Sequence, residues 1–281
     1  MSDGSDVMVF VLIISAVIGL VTAFLGSIAG LGGGVILVPS LLFLYQISDA
    51  FSWATPQKIV GISLVVMIFT GLSSAISYMK SRRVDFKSGG IFLLGSIPGS
   101  IVGSYLVQFL GTERFSILFG ILMLLVSMMF FIPRKKRAAN NMAAKGFHRS
   151  MEIDGHTYNY SYSVVIGCLL AFSVGMMSGL FGIGGGSLMV PAMILLFGFP
   201  AHIATATSMF MIFFMSISSS ITHIYLGHVD WLYTLAFIPG AYIGGTLGAR
   251  VNRHLKGKYV EWVLRGLLFL IAFRLIWQGL G

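Results

Sequence analysis

The sequence predicts an all-α membrane protein, with about ten transmembrane helices in two inverted five-helix repeats and glycine-broken helices. Three observations carry this expectation. Hydrophobic residues make up 57% of the 281 and charged residues only 10%, too little polar surface to cover a soluble globule of this length. One glycine-rich stretch occurs twice, as Gly26-Ser-Ile-Ala-Gly-Leu-Gly-Gly-Gly-Val-Ile-Leu-Val-Pro39 and as Ser178-Gly-Leu-Phe-Gly-Ile-Gly-Gly-Gly-Ser-Leu-Met-Val-Pro191. The basic residues gather in three short clusters between apolar runs.

The repeat extends well beyond the glycines. Placing Gly30, Gly32, Gly33 and Gly34 over Gly182, Gly184, Gly185 and Gly186 also places Val38-Pro39 over Val190-Pro191. After one gap Ser63 meets Ser208, Ser74 meets Ser219, and Val84-Asp85 meets Val229-Asp230. Further on, Ile97-Pro98-Gly99 meets Ile238-Pro239-Gly240 and Gly103 meets Gly244. The chain is thus an internal duplication, expected as a first transmembrane repeat over 1–133, a cytoplasmic linker over 134–161 and a second repeat over 162–281.

Ten apolar segments follow in order, at about 7–29, 33–47, 57–79, 86–110, 113–132, 162–181, 185–199, 201–226, 231–249 and 259–278. Most reach the roughly 20 residues that a crossing helix needs. The second and seventh, each behind a glycine run, offer only about a dozen strongly apolar residues. Met1 to Asp6 carry Asp3 and Asp6 and no Lys or Arg, unlike the basic start of a cleaved signal peptide, so the first run is expected to be retained.

Charge decides whether the two short segments cross. Loops on the cytoplasmic side are enriched in Lys and Arg. The first cluster is Lys80, Arg82, Arg83 and Lys87; the second is Arg134, Lys135, Lys136, Arg137, Lys145 and Arg149; the third is Arg250, Arg253, Lys256 and Lys258. All three fall on one side only if segment seven crosses, and by duplication segment two then crosses as well. Both termini are expected outside the cell membrane, with five spans per half, which inverts the second repeat relative to the first. This patterning accounts for the net charge of +9 without nucleic acid as a partner.

The connection after Pro133 opens on Arg134-Lys-Lys-Arg137, a topology anchor and a contact for anionic lipid head groups of the bilayer. Met151-Glu-Ile-Asp-Gly-His156 matches neither a phosphate-binding strand–loop–helix nor a metal-ligand spacing. The single Cys168 supports neither a disulfide framework nor a cysteine metal site, so no metal and no cofactor is expected.

Glycine clusters in membrane helices serve close helix packing. Here three consecutive glycines are costly to helix continuity, and each run precedes a short apolar segment. Unwound backbone at membrane depth is tolerated where it is buried in protein or lines a cavity. Short, glycine-interrupted segments at matching places in two inverted halves point to the substrate site of a transporter. A helix restarting after the break aims free N–H groups and its positive dipole end at the break, which suits an anion. The candidate binding residues are Gly30, Gly32, Gly33, Gly34, Gly182, Gly184, Gly185 and Gly186.

Segments three and eight add hydroxyl groups. Thr205, Ser208, Ser216, Ser219 and His223 share one stripe of segment eight, and Ser63, Thr70, Ser74 and Ser77 a comparable stripe of segment three. Such hydroxyls commonly bond their own or a neighbouring helix. The recurrence of Ser63 as Ser208 and of Ser74 as Ser219 adds these four, with Thr205 and His223, to the candidate oxyanion ligands. His223 and His202 mark the two ends of segment eight, and Glu261 and Arg265 are spaced for a local ion pair. No Asp or Glu stands in mid-span, so a carboxylate proton relay is not expected. An intramembrane serine hydrolase would want a serine–histidine dyad, for which Ser219 and His223, one turn apart and without a nucleophile elbow, are a weak match.

Gly30-Leu-Gly-Gly-Gly34 and Gly182-Ile-Gly-Gly-Gly186, each followed by Val-Pro, together with Thr205-Ala-Thr-Ser208 and Gly227-His-Val-Asp230, resemble the TauE/SafE family of sulfite and organosulfonate exporters over essentially the whole chain. The resemblance implies a transporter, not an enzyme, for a small anionic substrate such as sulfite or sulfoacetate. Uptake of such an anion is the second reading. Assembly as a homodimer is compatible with this reading. The first copy departs from the second where Gly61-Ile-Ser63 replaces Ala206-Thr-Ser208 and Tyr78 replaces His223, which argues against equal use of the two halves.

Overall fold

The computed structural model describes residues 3–129, 146–153, 156–255, 262, 266 and 273. Its helices are α1 (Asp3–Ala29), α2 (Gly34–Ile47), α3 (Pro56–Lys80), α4 (Phe86–Leu106), α5 (Thr112–Met129), α6 (Val164–Phe181), α7 (Gly186–Leu195), α8 (Ala201–Tyr225) and α9 (Trp231–His254). They follow the first nine apolar segments in order. Most of the tenth, with Glu261 and Arg265, lies outside the described residues, as do Arg134, Lys135, Lys136, Arg137, Lys145, Lys256 and Lys258.

Among the described residues, five helical stretches are long and apolar enough to cross a membrane: Met8–Ala29, Pro56–Lys80, Phe86–Phe109, Val164–Phe181 and Ala201–Tyr225. The two helices behind the glycine runs are shorter, α2 with 14 residues and α7 with 10. Each holds a proline at the matched place, Pro39 and Pro191, which removes one intrahelical hydrogen bond.

The centre is the contact of α3 with α8, which bury most of their length, whereas α1, α4 and α6 turn large apolar side chains outward. Leu94 of α4 is 75% exposed, and Val165 and Leu169 of α6 are also well exposed. That surface suits hydrocarbon rather than water. Gly61 of α3 lies against His228 beyond the end of α8, Gly71 lies against Phe213, and the Asp85 N–H beyond the end of α3 meets Thr207 near the start of α8. The two central helices therefore run antiparallel.

Two further contacts knit the halves together. Gly240, Gly244 and Gly248 of α9 sit on the carbonyls of Ala16, Leu20 and Phe24 of α1; Gly95, Gly99 and Gly103 of α4 sit on those of Cys168, Phe172 and Met176 of α6. A Cβ at any of these glycines would enter backbone, so helix approach depends on its absence. Each contact joins a helix of one half to a helix of the other. The halves are interlocked rather than laid side by side.

The stretch expected as a cytoplasmic linker over 134–161 contributes nearly all of an antiparallel hairpin, β1 (Phe147–Ile153) and β2 (His156–Tyr162), in the register Phe147↔Tyr162 to Ile153↔His156. It adds a small β element to the all-α expectation. The alternation in His-Thr-Tyr-Asn-Tyr-Ser-Tyr has the strand period of two, and Asp154-Gly155 is a dipeptide favoured between hairpin strands. Tyr160 and Tyr162 are buried; Tyr160 packs on Phe199, and Tyr162 packs on Phe92 and Phe197.

Candidate functional site

The two glycine runs interrupt the helices and meet inside the protein. Gly30, Gly32 and Gly33 have φ of 75, 83 and 88°, and Gly182, Gly184 and Gly185 have φ of 69, 72 and 72°. A side chain in that left-handed region costs about 1–2 kcal/mol per residue, so the duplicated glycines are a backbone requirement. Gly34 and Gly186 open α2 and α7 with no such constraint, yet a Cβ on Gly34 would enter the carbonyl of Gly182 and one on Gly186 that of Gly30. The loops touch backbone to backbone, and residues 26–35 and 181–187 are all buried. The N–H groups of Gly34 and Val35 and of Gly186 and Ser187 lie at positive dipole ends ahead of the first helical acceptors, whereas Ile36 and Leu188 already donate to the carbonyls of Gly33 and Gly185.

Serines from the central helices hold this contact crosswise. Ser63 Oγ donates to Gly182 O at 2.7 Å, and Ser208 Oγ donates to Gly30 O at 2.8 Å. One turn further along, Met67 and Ile212 both border Gly32 and Gly184. The matched positions Tyr78 and His223 do the same task with different chemistry: Tyr78 OH donates to Ser27 O at 2.8 Å, and His223 Nε2 donates to Gly179 O at 3.2 Å.

Ser74 and Ser219 differ for a traceable reason. Ser74 Oγ bonds Ser27 Oγ at 2.8 Å, which in turn donates to Gly245 O at 2.9 Å. The counterpart of Ser27 in the second repeat is Gly179, which lacks a hydroxyl. Ser219 Oγ is accordingly buried with no partner among the described residues. The hydroxyls of Ser178, Ser187, Thr205, Ser216 and Ser220 are in the same position, so the unsatisfied groups concentrate in the second repeat and its glycine loop. A buried polar group without a partner costs about 1–3 kcal/mol and calls for an explanation, of which a ligand is one. Ser178 and Ser187 escaped the sequence reading. They flank the glycine run where the first copy has Gly26 and Val35, and that difference between copies is the signal that could have found them.

The histidines form a defined chain. The Gly179 carbonyl only accepts, so His223 carries its proton on Nε2; in the neutral ring Nδ1 then accepts from His228 Nδ1, 3.2 Å away. Burial lowers the pKa of His228. At the other end of α8, His202 Nδ1 is 3.3 Å from Asn252 Oδ1, and Asn252 Nδ2 donates to Ile28 O at 2.7 Å beside the first glycine loop.

The matched carboxylates Asp85 and Asp230 stand at the starts of α4 and α9, not in mid-span. Asp230 is 3.5 Å from Lys58. Asp85 accepts from Ser88 Oγ at 2.6 Å, Tyr160 OH at 2.7 Å and Arg149 Nη2 at 2.7 Å. Burial pushes its pKa up, but these bonds more than offset that and hold the carboxyl below its usual range. Arg149, expected in a cytoplasmic cluster, thereby docks the hairpin on α4. Among the described residues no three His, Cys, Asp or Glu side chains converge as metal ligands.

Residues 15–275 match the sulfite exporter TauE/SafE family. The chain belongs to that family. Among its relatives, the probable membrane transporter protein YunE of Bacillus subtilis is 49% identical over 95% of this chain and 98% of its own length. Probable membrane transporter proteins of Xylella fastidiosa, at 26% over 93% of each chain, and of Methanocaldococcus jannaschii, at 24% over 90% of each, are more distant. No solved structure matches the chain. Membership extends over both glycine runs and both hydroxyl-bearing helices, so the duplicated core, not an appended segment, is what this TauE/SafE protein shares with its relatives.

Proposed function

We propose that this TauE/SafE protein exports a small sulfur-containing oxyanion, sulfite or an organosulfonate, across the cell membrane through a site between two inverted repeats, 1–133 and 162–281. The observation that carries the reading is the meeting of the two glycine loops beneath crossed serine hydrogen bonds, with hydroxyls at the second loop that have no partner among the described residues. The ligands are the amides of Gly33 and Gly34 and of Gly184 to Gly186 with the hydroxyls of Thr205 and Ser219; the N–H groups of Gly30, Gly32 and Gly182 donate to the carbonyls of Ser27, Gly26 and Ser178 and shape the loops around them. Ser63, Ser208, Ser74 and His223 hold the loops. Amides and hydroxyls stabilise an anion without burying a counter-charge. The family description and the relatives' names as transporters support transport over catalysis. So does the geometry of His223, whose ring nitrogens face Gly179 and His228.

The three basic clusters lie on the cytoplasmic side and the termini outside. With Asp85 and Asp230 at helix starts and no carboxylate in mid-span among the described residues, the anion moves as net charge, pushed outward by a negative cytoplasm at about 2.3 kcal/mol per charge per 100 mV. In proteoliposomes, labelled sulfite should move faster toward the positive side of an imposed potential, and an ionophore should slow it to the rate set by the gradient. Flux that ignores potential and follows a pH difference would transfer the driving role to His202 or His223, and His→Gln variants would show which. An absence of flux for every sulfur anion tested would remove the substrate assignment.

A further inference from the structure

Beyond the glycine loops, α3 and α9 part around a cleft of about 370 Å³ at the ends that carry Lys80 and Arg253. Ser73, Ser77 and Lys80 of α3 line it together with Thr246, Arg250 and Arg253 of α9. Among the described residues no carboxylate lines the cleft beside these three cations, and the carboxylates of Asp230 and Asp85 pair instead with Lys58 and Arg149. Cations converging on one opening repel each other unless an anion lies among them, and guanidinium groups match oxyanions through paired N–H bonds.

The cleft has a polar floor that leads inward. Ser73 is 2% exposed, and both Ser73 Oγ and Ser74 Oγ lie where a side chain on Gly245 would otherwise stand. Ser74 then bonds Ser27, three residues before Gly30. Hydroxyls thus run from the cleft to the first glycine loop. The matched place in the other half keeps the hydroxyls as Ser218 and Thr222 but has Tyr225, Phe109 and Thr112 where Lys80, Arg250 and Arg253 stand. Topology alone asks only for positive charge near this end of the helices. Lys87 of the first cluster meets that need without lining the cleft. Convergence of three cations from two helices over a buried hydroxyl is a further feature.

We propose that this cleft binds a small oxyanion and loads it toward the first glycine loop from the cytoplasmic side, a role that rests on the transport reading above. Binding of labelled sulfite to the purified full chain in detergent, followed by equilibrium dialysis, tests the site apart from transport. The Arg250→Gln/Arg253→Gln variant should bind about tenfold more weakly, having lost charge-assisted hydrogen bonds, while Lys87→Gln stays within about twofold of wild type. Arg250→Lys/Arg253→Lys, which keeps the charge, should fall between them and guards against a folding defect. In proteoliposomes the glutamine variant should raise the half-saturating concentration on the cleft side only. Unchanged binding in that variant, or an equal loss in Lys87→Gln, overturns the proposal. Competition by short-chain phosphatidylglycerol with none by inorganic phosphate would assign the cleft to a lipid head group and overturn it too. If wild type binds sulfite in dialysis yet moves none, the transport reading fails and the cleft stands as an anion site.

Discussion

Ser208 on α8 donates its hydroxyl to the carbonyl of Gly30, 178 residues earlier in the chain, and the matched Ser63 on α3 returns the same bond to Gly182. Reciprocal bonds of this kind tie the two glycine loops together at the centre of the protein. Ser63→Ala and Ser208→Ala should each cost about 1 kcal/mol, and by similar amounts, because each strands one buried carbonyl. Thermal unfolding in detergent measures this; one neutral variant beside one severe variant would mean that the two bonds are not equivalent.

The direct contact of the loops makes a methyl group the sharpest probe. Gly186→Ala places its Cβ into the carbonyl of Gly30, whereas Gly90→Ala on α4 meets nothing within 4 Å. Transport should be lost in the first and kept in the second, with both proteins inserting. Gly33→Val and Gly185→Val add left-handed strain of about 1–2 kcal/mol to the crowding and should also abolish transport. Wild-type flux in a well-folded Gly186→Ala protein would remove the loop contact from the mechanism.

Ser74 and Ser219 occupy matched places but should respond differently. Ser74→Ala breaks a bond to Ser27 and should destabilise the protein by about 1 kcal/mol. Ser219→Ala removes a hydroxyl that has no partner among the described residues, so it should leave stability unchanged while raising the half-saturating anion concentration. Ser218→Ala is the control on the same helix. A loss of stability in Ser219→Ala with unchanged transport would make Ser219 structural.

Orientation is open to chemical labelling. In a Cys168-free background, Ser2→Cys should react with an impermeant thiol reagent in intact cells and Asn141→Cys should not. The reverse pattern would turn the proposed topology over.

The hairpin contact carries its own pH signature. Asp85 has a depressed folded-state pKa, so its contribution is complete above the unfolded value near 3.9 and is lost only as pH falls through the lower folded value. Hydrogen exchange across 147–162 should therefore stay protected from neutral pH down to about pH 4. Asp85→Asn should expose Arg149 to trypsin at neutral pH. Protection lost between pH 5 and 7 in the wild type would point to a different titrating group.

Much of this was legible in the residues themselves. Composition sets the solvent, the spacing of the two Gly-x-Gly-Gly-Gly runs marks the breaks in the helices, and the match of Ser63 with Ser208 places hydroxyls on equivalent turns. These are local properties, set by side-chain polarity, allowed φ and helical period. Contacts between distant parts of the chain were decided only by the tertiary structure. It put each serine on the opposite loop, left Ser219 without a partner among the described residues where Gly179 replaces Ser27, carried Arg149 from the linker to Asp85, and brought α3 and α9 together around three cations. Helical period states which residues share a face, whereas their partners depend on how antiparallel α3 and α8 pack, and that packing is set by backbone approach at glycines far apart in the sequence.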